Sequence, residues 1–146
     1  MRSDRGLGIA DWGKTLSGDN KSMAAPKRFE DLDAWRKARE LVNLVYDMTQ
    51  SGALAKDFGL RDQIQRAAVS IMSNIAEGFD RSHKAEKLQF YRVARASAGE
   101  VRSLLYILLD RDYADPDSIR KAQSLADQVG GIVQGLIRSF QESSEK

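Results

Sequence analysis

The chain has 146 residues, 42% of them apolar and 30% charged, and a net charge of +2. That length allows one domain with a sizeable core, and the balance is that of a folded soluble protein rather than a disordered one. There is no cysteine, which excludes disulfides and cysteine-held zinc and fits a reducing compartment. No apolar run approaches the roughly 18 residues of a membrane span, and "MRSDRGLGIADWGKTL" lacks the apolar core of a signal peptide, so the expectation is a cytoplasmic protein with no membrane partner.

Residues 1–25 are rich in Gly, Ser and Asp, show no periodicity and read as a flexible tail; the folded unit is expected over 26–142. Met23 opens "MAAPKRFEDL", so the residues before it are either an extension or the product of a mis-assigned start. A first helix is predicted from about Glu30 to Gln50, because Leu32, Trp35, Ala38, Val42, Val45 and Thr49 recur at steps of three and four. "SGALAKDFG" breaks that rhythm, with Gly52 and Gly59 as punctuation. A second helix starts near Leu60 and runs through Ile64, Ala67, Ala68, Ile71 and Ile75 to Gly78, which is placed as its C-cap. Ser82 is placed to cap a third helix reaching about Arg111, with Tyr91, Ala94, Ala98, Val101, Leu105 and Leu108 as its seam. "DPDS" opens the fourth helix with Asp115 at the N-cap and Pro116 in the first turn. Ile119, Ala122, Ala126, Val129, Val133, Leu136 and Phe140 carry it to the end. Short connections between four helices predict an all-α, antiparallel up-and-down four-helix bundle.

The second helix carries an unusual polar stripe. Wound at about 100° per residue, Gln63, Arg66, Ser70, Asn74 and Glu77 fall between the main core face and a second apolar surface of Val69, Met72 and Ala76. On the third helix the apolar arc from Phe90 to Leu108 is about 140° wide, broader than the usual stripe, with Glu100 at its edge. Small residues such as Ala67, Ser70, Ser73, Ala94 and Ser97 permit close helix contact. Either the stripe is a hydrogen-bonded network at a junction with another subunit, or it sits half-exposed at the core margin. The structural candidates are Ser70, Asn74, Glu77, Gly78, Arg81, Ser97 and Glu100, with Arg81 or Arg95 as the cation for Glu77.

Charge is unevenly spread. Residues 81–111 hold seven Lys and Arg against three carboxylates, a net of +4, whereas residues 29–50 carry −2. Lys84, Arg92, Arg95 and Arg102 fall within an arc of about 80° on the third helix, with Leu88 and Tyr106 between them. Such a stripe can track phosphates, or it can be an ordinary solvated face whose arginines pair with neighbouring acids. Catalysis has no comparable support. His83 is the single histidine, no Glu-x-x-His pair is present for a metal in a bundle, and "VGGIVQG" lies inside a helical pattern rather than after a strand. No catalytic residue, cofactor or metal is expected.

"GLRDQIQRAAVSIMSNIAEGFDR", followed by "FYRVARASAGEVRSLL" and preceded by the Phe29, Asp31, Leu32, Trp35 opening, resembles the four-helix bundle proteins encoded in intervening sequences of bacterial 23S ribosomal RNA genes. The resemblance covers about residues 28–140. One departure is that the family usually has a Gly-Ser pair before its second glutamate, where this chain has Ala96 and Ser97, with Val101 for the family's leucine. The resemblance implies a ring-forming bundle, with a homopentamer as the expected form. It also implies a kinship with accessory proteins of diversity-generating retroelements, which bind a reverse transcriptase and nucleic acid. Two readings follow: a non-catalytic oligomeric adaptor that binds RNA, DNA or a nucleic-acid enzyme, and a structural homo-oligomer with a protein-only partner.

Overall fold

The computed structural model describes residues 25–145; the tail expected over residues 1–25 thus lies, but for its last residue, outside the described residues. A 3-10 turn at Phe29–Asp31 leads into five helices: α1 Asp33–Thr49, α2 Gly52–Lys56, α3 Phe58–Asp80, α4 Lys84–Asp110 and α5 Pro116–Glu145. No strand occurs among the described residues, and the fold is all-α. The four long helices pack side by side round one apolar core, α1 against α3 and α5, and α4 against the same two.

The core follows the helical repeat. Ala34, Ala38, Leu41, Val45 and Thr49 of α1 are buried, as are Ile64, Ala67, Ala68, Ile71 and Ile75 of α3. From α4 come Tyr91, Ala94, Ala98, Val101, Leu105 and Leu108, and from α5 Ile119, Ala122, Ala126, Val129, Val133 and Ile137. Each fully buried Leu or Ile contributes about 1.5–3 kcal/mol of transfer free energy. The predicted α5 seam drifts at its end: Ile137 takes the buried place, while Leu136 and Phe140 are only partly covered.

Several boundaries differ from the sequence expectation, each for a local reason. Helix α1 begins at Asp33 rather than Glu30, because the Asp31 carboxylate accepts the backbone N–H groups of Lys27 (3.1 Å) and Arg28 (3.2 Å) and closes a separate turn. The expected break over 51–59 contains α2, anchored by the fully buried Leu54 and entered through Gly52, whose φ of 72° is left-handed backbone that glycine adopts without strain. Asp57 caps α3, which starts at Phe58, two residues before Leu60. One of its oxygens accepts from the Leu60 N–H at 3.3 Å and the other from the Tyr113 hydroxyl at 3.0 Å, which ties the start of α3 to the loop before α5. At α5 the expected cap is in place: Asp115 accepts from the Ser118 N–H at 3.1 Å.

Gly78 is not a C-cap. Helix α3 continues past it to Asp80, and Gly78 has no left-handed backbone. A capping glycine is dispensable here because Lys87, from the first turns of α4, reaches back and donates to the carbonyls of Gly78 (3.2 Å) and Phe79 (2.7 Å), satisfying groups that a helix end otherwise leaves open. Nor does Ser82 cap α4. The N-cap position falls to His83, which makes no side-chain cap bond.

Candidate functional site

The polar residues of α3 meet α4 along a seam at the solvent edge of the core. The hydroxyls of Ser70 and Ser97 lie 2.8 Å apart. The Asn74 side-chain amide donates to the Ser70 carbonyl at 2.8 Å and to the Ser70 hydroxyl at 3.1 Å. About two turns before Ser70 in α3, Gln63 donates to the Glu100 carboxylate at 3.2 Å. Ser97 is buried, Ser70 and Asn74 are half-buried, and Glu100 is exposed. Ser70 and Gln63 reach across to α4, Ser70 at the core margin and Gln63 at the exposed edge, while Asn74 braces Ser70 from within α3. Val93 and Ile107 of α4 and Val69 of α3 remain exposed nearby.

Glu77 and Arg81 form a separate pair. The Arg81 guanidinium donates to the Glu77 carboxylate across one helical turn and lies 4.8 Å over the Phe90 ring. Both side chains are about half exposed, so the pair contributes at most about 1 kcal/mol. Arg95, the other cation considered for Glu77, lies elsewhere. It donates to the Gln134 side chain of α5.

That contact belongs to a second surface, where α4 meets α5. Arg102 approaches Asp127 at 3.8 Å, with both side chains largely exposed. In the register set by Arg95–Gln134 and Arg102–Asp127, Arg138 follows Gln134 by one turn of α5 and joins the Arg92 end of the same face. It is exposed. Arg92 is also exposed and Lys84 half-buried, and none of Lys84, Arg92 and Arg138 makes an ion pair or hydrogen bond among the described residues. Arg138 was not legible as a candidate, because its place beside α4 depends on the inter-helix register. Of the two tyrosines near the stripe, Tyr91 is buried at 2% exposure and Tyr106 stands out at 57%. No group of three or more His, Asp or Glu residues positioned to hold a metal ion occurs among the described residues.

Residues 30–135 match the family model described as the 23S rRNA-intervening sequence protein. The chain belongs to this family. A similar solved structure is that of a protein with unknown function from the S23 ribosomal protein family of Bacteroides thetaiotaomicron. The two share a fold at a TM-score of 0.65 and 20% sequence identity, over 71% of this chain and 97% of that one. No curated protein matches the chain. In this 23S rRNA-intervening sequence protein, "SIMSNIAEG" supplies both the α3 side of the polar seam and the close packing at Gly78. No helix among the described residues is long and apolar enough to cross a membrane.

Proposed function

We propose that this family member is a non-catalytic, cytoplasmic adaptor: an antiparallel up-and-down bundle that assembles with copies of itself into a ring, a pentamer in the form the resemblance implies, and binds nucleic acid along the α4–α5 face. The observation that carries the binding reading is the line of Lys84, Arg92, Arg95 and Arg102 on α4, joined by Arg138 of α5, on a chain whose net charge is only +2. Cations gathered on one face attract phosphates and release counterions on binding, and a ring would repeat that face and add the fields of its copies. Antiparallel packing is supported by the cross-helix contacts, which pair Gln63 with Glu100 and then Ser70 with Ser97, and Arg95 with Gln134 and then Arg102 with Asp127. Self-assembly is supported by the exposed apolar residues Val69, Val93 and Ile107 bordering a seam already rich in small residues.

Gel-shift or anisotropy titrations with RNA and DNA at low salt test the binding. Glu substitutions at Lys84, Arg92, Arg95 and Arg102 should abolish it, and in the wild type affinity should fall steeply with added salt. Light scattering should return several times the chain mass of 16.3 kDa. A second reading, a homo-oligomer with a protein-only partner, is favoured by the engagement of Arg95 by Gln134 and of Arg102 by Asp127. It prevails if the wild type binds neither RNA nor DNA.

A further inference from the structure

We propose that the α4–α5 face takes nucleic acid as a single strand, with Tyr106 as a base-stacking platform at one end of the cation line. This rests on the nucleic-acid reading above and goes beyond it by naming the class of nucleic acid and the residue that selects it.

Three features of the face support the proposal. First, Tyr106 is one turn beyond Arg102 on the same side of α4, and the residue is 57% exposed. It makes no ring stacking or cation–ring contact among the described residues. The other aromatics next to arginines are occupied. Arg61 lies over Phe58, Arg81 over Phe90 and Arg39 over Trp35, each within 6 Å of the ring centroid. The Tyr106 ring thus keeps an open face beside Arg102, whose contact with Asp127 is long and solvent-exposed, while the unengaged Arg92, Arg138 and Lys84 lie further along the line. Leu109, one turn further and 41% exposed, extends the apolar end of the track.

Second, the line is long enough for several nucleotides. From Lys84 to Tyr106 it spans about 33 Å at about 1.5 Å rise per residue. Charge lies along the line and the aromatic at its end, which is the arrangement that holds a strand by its phosphates and a base by its face.

Third, the shape disfavours a duplex. A major groove is about 12 Å wide and admits one helix of about that diameter. Here α4 is flanked along the face by α5, which supplies Gln134, Asp127 and Arg138, and by the α3 seam on its other side. The pair of helices is broader than the groove, so α4 cannot enter it. A duplex held on the outside by its phosphates would offer the Tyr106 ring no base face, whereas a single strand presents one at each nucleotide.

The test uses the full chain and a fluorescein-labelled mixed-sequence 12-nucleotide RNA, the corresponding DNA, and both as blunt duplexes, at low salt. Single strands should bind at least about tenfold more tightly than duplexes. Tyr106→Ala should weaken single-strand binding by about 5- to 160-fold, the range expected for one stacked base, and leave duplex binding unchanged. Tyr106→Phe, which keeps the ring, should bind as the wild type does. Because the side chain is exposed, far-ultraviolet circular dichroism and oligomer mass should be the same in all three proteins. Equal affinity for duplex and single strand, or wild-type binding by Tyr106→Ala, would overturn the stacking proposal while leaving the cation face intact. A wild type that binds no nucleic acid of any kind removes the underlying reading, and this one with it.

Discussion

Gly78 of α3 lies so close to Tyr91 of α4 that a Cβ at position 78 would stand 2.7 Å from Cε1 and 2.8 Å from Cδ1 of the ring. The tyrosine is buried and its ring is tilted against Phe140 at a centroid distance of 6.1 Å, so it has little room to retreat. Alanine is the better helix former by about 1 kcal/mol, yet Gly78→Ala should still destabilise, because forcing a methyl into a packed site costs about 1–3 kcal/mol. Urea unfolding should give a lower midpoint for Gly78→Ala. Adding Tyr91→Leu to that variant should cost less than Tyr91→Leu costs alone, since the two positions compete for one space.

Burial of Tyr91, reinforced by the negative charge of Asp80, pushes its phenol up to about 12 from an ordinary value of 10.0. A group whose acid form is favoured by folding contributes stability below its unfolded pKa and loses it as pH climbs toward the folded one. Tyr91 should therefore support the fold fully below pH 10 and progressively less between pH 10 and about 12, a loss on the order of 3 kcal/mol at about 1.4 kcal/mol per unit. Denaturant unfolding measured from pH 8 to 12 should show the decline. Tyr91→Phe should flatten it, and equal slopes in the two proteins would show that other groups govern alkaline unfolding.

Gly131 and Gly135 of α5 present the opposite case to Gly78. A Cβ at either position meets nothing within 4 Å, and both are exposed within a helix. Alanine at each should stabilise by about 0.5–1 kcal/mol through the smaller backbone entropy lost on folding. The double variant should raise the thermal midpoint by a few degrees and leave oligomer mass unchanged.

What the sequence made legible was periodicity. Every residue of the expected α4 seam is buried, and the Asp115 cap stands where the "DPDS" chemistry puts it, because both depend on neighbours within one or two turns. The misses depend on contacts between helices. Gly78 carries the composition of a cap, but its purpose is set by Tyr91, and the capping is performed by Lys87. Ser70, Asn74 and Ser97 join in a hydrogen-bonded group at the α3–α4 edge of one chain, with Ser70 and Asn74 half-buried. Glu100, at the edge of the α4 apolar arc, is exposed and accepts from Gln63. Arg138 escaped notice because no local signal tells which α5 residues share a face with α4.

The seam and the Glu77–Arg81 pair should respond differently to truncation. Asn74 is half-buried and its amide reaches both the carbonyl and the hydroxyl of Ser70, whose own hydroxyl meets Ser97. Asn74→Ala leaves part-buried acceptors short of a donor and should cost about 1–3 kcal/mol. Glu77→Ala removes an exposed pair, and Arg81 keeps water and the Phe90 ring, so its cost should stay below about 1 kcal/mol. Denaturation of the two variants should rank them in that order; a larger loss for Glu77→Ala would mean that an interface buries the pair in the assembled protein. The proposed assembly is probed at the same edge. Val93 and Ile107 are 42% and 41% exposed, so Val93→Glu and Ile107→Glu should fold as the wild type does within one chain. If copies meet along this edge, each carboxylate would be placed in an apolar contact, and light scattering should report a lower mass. Wild-type mass in both variants would place the contact between copies on another face.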